Sequence, residues 1–104
     1  MTKIIDHKEK IRSLEEILEI VAQAKKEGKK IVTTNGSFDL VHAGHIDLLQ
    51  KAKDRGDILI VGINSDKSVR EYKKKPERPI VPEKYRAELL AALERDDFDF
   101  SFDH

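Results

Sequence analysis

Leu14, Ile17, Leu18, Val21 and Ala22 recur at intervals of three and four between Ser13 and Gly28, the spacing that gathers apolar side chains on one helix face. Ser13-Leu14-Glu15-Glu16 has the form of a capping box, Lys25 and Lys26 fall in the last turn, and Gly28 supplies the stop. The apolar run at about Lys30–Thr34 is too short for a helix and predicts a strand. From about Ala43 to Arg55 helical spacing returns with Ile46, Leu48, Leu49 and Ala52, and Gly56 ends it. Ile58–Ile63 is almost continuously apolar, as in a parallel strand covered on both faces. Ser65 or Asp66 caps a short helix reaching Tyr72, and Lys73–Pro79 reads as a basic, proline-bounded loop. Pro82 fits the first turn of a last helix carrying Tyr85, Leu89, Leu90, Ala92 and Leu93.

Strand–helix–strand–helix–strand predicts an α/β domain: a parallel three-stranded sheet with right-handed crossovers, half of a doubly wound fold, with an extra N-terminal helix. Residues 13–104 form this single domain, and residues 1–12 are expected to be a flexible lead-in. Ligands of such sheets bind beyond the carboxyl ends of the strands. The loop 35–42 and the segment Asn64-Ser65-Asp66 lie there.

The chain ends differently. Phe98, Phe100 and Phe102 alternate strictly with Asp97, Asp99, Ser101 and Asp103. A period of two predicts an edge strand with one apolar face and one acidic face in water.

Composition narrows the function. A chain of 104 residues makes one small core. Lys plus Arg and Asp plus Glu are equal at 20 each, so no net field favours nucleic acid or an anionic membrane. The absence of cysteine excludes disulfides, thiolate catalysis and cysteine-ligated zinc. No secretory h-region and no stretch near the ~20 apolar residues of a membrane span is present, so a cytoplasmic location is expected.

The most informative stretch is Thr33-Thr34-Asn35-Gly36-Ser37-Phe38-Asp39-Leu40-Val41-His42-Ala43-Gly44-His45. A strand leading through a glycine turn into a helix gathers backbone N–H groups and the positive helix end at one point, which favours phosphate. His42 and His45 are spaced i, i+3, so both can donate to one group of phosphate oxygens. The plainer alternative is that His45 caps the helix and His42 packs. Gly36 and Gly44 permit close backbone approach, and Ser37 offers an N–H or hydroxyl. Phe38 reads as a core plug more readily than a base stacker. Asp39 either assists a magnesium-bound water or holds the loop through backbone hydrogen bonds. His7 and His104 have no partners at metal-ligand spacing.

This stretch resembles the H-x-G-H signature of the nucleotidyltransferase superfamily, in the G-x-F-D-x-x-H-x-G-H form of its cytidylyltransferase-like branch. Gly56-Asp57, Val61-Gly62-Ile63-Asn64-Ser65-Asp66, Arg78-Pro79-Ile80-Val81-Pro82 and Arg86 extend the likeness across roughly residues 13–94. Within the branch the chain is most similar to adenylyltransferases that make ADP-heptose, with glycerol-phosphate cytidylyltransferases the nearest relatives of that group. The resemblance implies a Rossmann-like fold, nucleotidyl transfer from ATP with Mg2+ to a sugar 1-phosphate, and pyrophosphate release. It implies that His42 and His45 contact the triphosphate, that Lys73 reaches the phosphates of both substrates, and that Arg86 faces the site. Asn35, Gly36, Ser37, Phe38 and Gly44 would line the nucleotide loop, with Asn64 and Asp66 at the end of the second strand. Magnesium would be held by phosphate oxygens and waters, with no protein metal site.

In that family the domain continues after Leu93 into a second half that helps bind the base and outer phosphates. Here the alternating segment follows instead, so a second reading is a truncated or engineered half-fold that self-assembles and at most binds phosphate weakly. Either way the edge left on the first strand predicts a homodimer or larger homo-oligomer.

Overall fold

The computed structural model describes residues 7–73, 78–93 and 97–103. Helix α1 (Leu14–Lys26) begins at the predicted box: Ser13 Oγ accepts from Glu16 N–H at 3.2 Å, and the Glu16 carboxylate accepts from Ser13 N–H at 3.1 Å. Gly28 leaves the helix at φ +73, a conformation in which a Cβ would be strained. Strand β1 (Ile31–Gly36) runs beyond the predicted Thr34 because Asn35 and Gly36 stay in register with Gly62 and Ile63 of β2 (Ile58–Asn64). Helix α2 (Ala43–Lys53) connects the two. Helices α3 (Asp66–Lys73) and α4 (Glu83–Ala91) lead to β3 (Phe98–Phe102). Pro82, expected in the first turn of α4, is the residue before it.

The sheet is parallel throughout, in the order β1-β2-β3. Alternation along β2 divides the core. Leu59, Val61 and Ile63 face one way and pack with Leu49 of α2, Ala87 and Leu90 of α4, and Phe38. Ile60 points to the other face, whose cover includes Ile17 and Ala24 of α1. Each fully buried Leu or Ile side chain contributes roughly 1.5–3 kcal/mol, so the two faces together fix where the strands end.

β3 departs from the sequence expectation. Its acids were expected in water, yet Asp99 is 0 % exposed, in register with Val61 on the side that α4 covers. The reason is the chain's beginning. His7–Lys10 form a 3-10 turn packed against α4, Ile11 bridges to Asp99, and Arg12 N–H donates to the Asp99 carbonyl at 2.8 Å. Of the lead-in expected over residues 1–12, residues 1–6 lie outside the described residues. Asp97 is also used internally, accepting from Leu59 N–H and Lys53 Nζ, both at 2.7 Å. The three phenylalanines are half-buried on the α1 side.

The two sheet edges are therefore unequal. Ile11 and Arg12 lie along β3. Among the described residues β1 pairs with β2 alone.

Candidate active site

β1 ends at Gly36 because the next residues must turn sharply to start α2. Phe38 (φ 50) and Leu40 (φ 87) both adopt the left-handed region, which non-glycine residues enter at a cost of about 1 kcal/mol or more each. Packing and hydrogen bonds hold them there. Phe38 is 3 % exposed and lies so close to Gly36 that a Cβ on the glycine would stand 3.0 Å from its ring. Phe38 is thus a core plug rather than an exposed stacking ring.

Asp39, between the two strained residues, is the clamp. Its buried carboxylate accepts from Ile80 N–H at 2.9 Å, Val81 N–H at 2.9 Å and Arg78 Nη1 at 2.9 Å. Burial pushes this carboxyl up, but the Val81, Ile80 and Arg78 bonds outweigh it and hold it below the usual aspartate value. Of its two expected roles, the structure gives it the loop-holding one.

His42 is the N-cap of α2, and its Nδ1 accepts from Gly44 N–H at 3.0 Å. His45 reaches back, its Nδ1 accepting from His42 N–H at 3.1 Å. Two histidines thus build a reciprocal capping box. The rings stack with centroids 4.1 Å apart and 30° between planes, and Phe38 supports His45 at 5.3 Å. Burial and then the neighbouring charge of His42 lower the His45 pKa below that of an ordinary histidine. Capping and ligand binding were alternatives in the sequence; the geometry allows both, because the caps use Nδ1 and no described residue engages either Nε2.

Gly44 is needed for this arrangement, since a Cβ there would come within 2.8 Å of His42 Cε1. Ser37 contributes its carbonyl to a neighbour described below, and Asn35 is exposed at the end of β1. Lys73 closes α3 as its last residue, half-buried, while Lys74 and Lys75 lie outside the described residues.

Arg86 requires a correction. It was expected to face the site, but it is 0 % exposed. Its Nη1 donates to Ser37 O at 2.6 Å and Asn64 O at 2.7 Å, Nε to Val81 O at 2.8 Å, and Nη2 to Asp66 Oδ1 at 2.7 Å. Four protein acceptors take four of the five guanidinium N–H groups. Arg86 therefore ties the loop after β1 to the end of β2 and the starts of α3 and α4. Asn64 and Asp66 belong to the same bracket: Asn64 Nδ2 donates to Ser68 Oγ at 3.2 Å, and Asp66 and Glu83 cap each other's backbone N–H groups at 2.8 and 3.1 Å. Sequence alone assigns no role to Arg78, named only as part of the family likeness, or to Glu83, because their partners lie 39 and 17 residues away.

Two hollows lie elsewhere. One of about 230 Å³ opens at the carboxyl ends of β2 and β3 between Ser65, Glu83, Ser101, Phe102 and Asp103. A larger one, about 380 Å³, lies at the opposite end of the sheet beneath α1, with Ile20, Ala24, Ile58 and Phe98 among its lining. His42 and His45 line neither of these hollows. Among the described residues no group of three or more His, Cys, Asp or Glu is placed to hold a metal, and no helix is long and apolar enough to cross a membrane.

The chain is 50 % identical over 98 residues to the bifunctional protein HldE of Geotalea uraniireducens, and 53 % identical over 93 residues to that of Sulfurimonas denitrificans. These alignments cover 94 % and 89 % of this chain but only 20 % and 19 % of those proteins, so the chain spans about a fifth of the length of the curated relatives it matches. The crystal structure of the lipopolysaccharide core biosynthesis protein from Thermoplasma volcanium superposes with a TM-score of 0.67 at 33 % identity, covering 72 % of this chain and 59 % of that one. The cytidylyltransferase-like family model matches residues 33–103. From the strand that precedes the histidine pair to the end of β3, the chain belongs to the cytidylyltransferase-like family.

Proposed function

We propose that this chain binds ATP, as its magnesium complex, at the His42–His45 pair and transfers the adenylyl group to a sugar 1-phosphate, releasing pyrophosphate. One observation carries the reading: two imidazoles stacked 4.1 Å apart at the first turn of α2, with Nδ1 of each used for capping, in a chain of this family. Their Nε2 edges and the helix N-terminus offer donors to oxygens that gain charge as the reaction proceeds.

The chemistry balances without a protein nucleophile. A phosphate oxygen of the acceptor attacks the α-phosphorus, and the bond to the bridging oxygen breaks as pyrophosphate leaves. The attacking oxygen is already anionic, so no general base is required. Positioning and charge stabilisation are the protein's contribution. Lys73, at the end of α3, supplies a cation for the phosphates. Arg86 positions the loop rather than touching substrate. Magnesium comes with the triphosphate and needs no protein cluster.

Titration of MgATP against the chain and against a His42→Ala, His45→Ala variant tests this, together with pyrophosphate release on addition of heptose 1-phosphate. Turnover lost in the variant is expected. Equal binding by both proteins, without turnover, would mean the pair is not the nucleotide site.

Among the described residues β1 pairs with β2 alone, which favours a second reading, in which copies of the chain associate along that edge. Ile31-Val32-Thr33-Thr34 is uncharged and β-branched and carries none of the charges or prolines that protect edges. We infer pairing with β1 of a second copy to give a continuous sheet. Sedimentation at high micromolar concentration is expected to show a dimer or larger species; a well-folded monomer would overturn this.

A further inference from the structure

The hydrogen bonds of the histidine pair fix where its protons are. Gly44 N–H points at His42 Nδ1 at 3.0 Å, and His42 N–H points at His45 Nδ1 at 3.1 Å. A ring nitrogen that accepts an N–H carries no proton, so the neutral ring holds its proton on the other nitrogen. We propose that the pair works as two neutral Nε2–H donors, locked in that tautomer by the cap of α2, and that acid disarms the site by removing the cap. This rests on the reading of the pair as the nucleotide site.

The expectation for histidines facing a triphosphate is usually the reverse, with imidazolium attracting the polyanion and binding strengthening as pH falls. Here that route is opposed. Nε2 already holds its proton, so charging either ring means adding one at Nδ1, where it would meet the N–H now donating to that atom. The bond becomes a clash of two donors and a backbone N–H at the start of α2 loses its acceptor. Charging both rings would also place two cations 4.1 Å apart at the positive end of a helix.

Nearby charges do not reverse this. Asp39, in the same loop, is held by Arg78 and the Ile80 and Val81 N–H groups. Arg86, from α4, is bound to Ser37, Asn64, Val81 and Asp66. Asp47, further along α2, pairs with Lys51 at 3.0 Å. Burial first, and then the adjoining His42 ring, disfavour a charge on His45.

Ligand binding and capping then support each other. When Nε2–H donates to a phosphate oxygen, the ring becomes more electron-rich and its Nδ1 a stronger acceptor, as in other chained hydrogen bonds. Nucleotide is therefore expected to slow exchange of the Gly44 and His42 amides. For stability, the sign follows from linkage. A histidine lowered in the folded state binds protons more weakly there than in the unfolded chain, so stability is complete above about pH 6.5 and falls below it.

The test uses the full chain labelled with 15N-histidine. At pH 7.5 both ring systems are expected to give the neutral Nε2–H pattern; an Nδ1–H or charged ring at either position would overturn the inference. Calorimetry of MgATP binding at pH 7.5, in two buffers of different ionisation heat, counts protons taken up. No net uptake is expected, whereas uptake of one proton or more refutes the neutral pair. His45→Gln keeps a side-chain acceptor for the His42 N–H but cannot titrate, so its melting temperature should fall less between pH 7.5 and 5 than that of the parent chain. An equal fall would count against the acid-labile cap. Should MgATP give no binding heat at all, the nucleotide reading fails, and the ring tautomers and the acid comparison still decide this inference.

Discussion

Replacing Asp39 by alanine asks whether the loop between β1 and α2 is held by one carboxylate. The substitution leaves the Ile80 and Val81 N–H groups without the oxygens 2.9 Å away and releases the Arg78 guanidinium. These N–H groups are part-buried, so leaving each without an acceptor costs about 1–2 kcal/mol, the lower part of the range for buried donors. The Arg78 side chain is 29 % exposed and rehydrates, so its loss adds little. The two amides together give a destabilisation of roughly 2–4 kcal/mol. At about 4–8 °C per kcal/mol for a domain near 100 residues, the melting temperature should fall by roughly 8–32 °C. Because total stability is on the order of 5–15 kcal/mol, the variant is expected to be partly unfolded near 37 °C.

Urea denaturation followed by circular dichroism measures the loss directly. A destabilisation under ~1 kcal/mol would refute the clamp, since the exposed remainder of the loop would then suffice. A pH series adds a second check. Asp39 is lowered from 3.8 in the folded protein, so its contribution is present above that pH and is lost as pH falls further. Asp39→Asn removes the charge, and its stability should therefore change less than the parent's below about pH 4.

Gly62→Ala would bring a Cβ to 2.5 Å from Asn35 Oδ1, 3.1 Å from the Phe102 ring and 3.3 Å from the Phe100 ring. A loss of about 1–3 kcal/mol is expected by urea denaturation, with partial recovery on adding Asn35→Ala. Ser13→Ala removes the α1 box and should cost about 1 kcal/mol in thermal melting while leaving nucleotide affinity unchanged. Gly44→Ala displaces the His42 ring, and MgATP affinity by calorimetry should fall at least about tenfold through the loss of one charge-assisted bond. Arg86→Lys retains the charge but not the planar fork, so it cannot reach four acceptors; thermal melting should show a loss of roughly 3 kcal/mol or more.

What was legible in the sequence was short in range. The Ser13–Glu16 box spans one turn, the apolar run of β2 is contiguous, and the glycine turn with its two histidines lies within thirteen residues. Each such signal is complete in a window that the chain itself keeps together. Asp99 shows where this fails. Alternation with phenylalanine is a correct statement about the two faces of β3, but which face meets water was decided by α4 and by residues 7–12. Period two names the sides of a strand and says nothing of what will cover them.

Arg86 shows a different limit. Three of its acceptors are backbone carbonyls, at Ser37, Asn64 and Val81, up to 49 residues away. Every residue has a carbonyl, so such partners leave no mark on side-chain pattern, and an arginine bound to substrate looks the same in sequence as one bound to the chain. The distinction matters for mechanism. An arginine facing phosphate would add charge to the transition state, whereas a buried one bound to four protein acceptors sets the distance between the loop after β1 and the end of β2. Because Asp39 ties that same loop to Ile80 and Val81, the segment before α4 is held from both sides. The loop leading into the histidine pair is therefore held by two clamps, and under the proposed function a variant of either is expected to move nucleotide affinity only as far as it moves the loop.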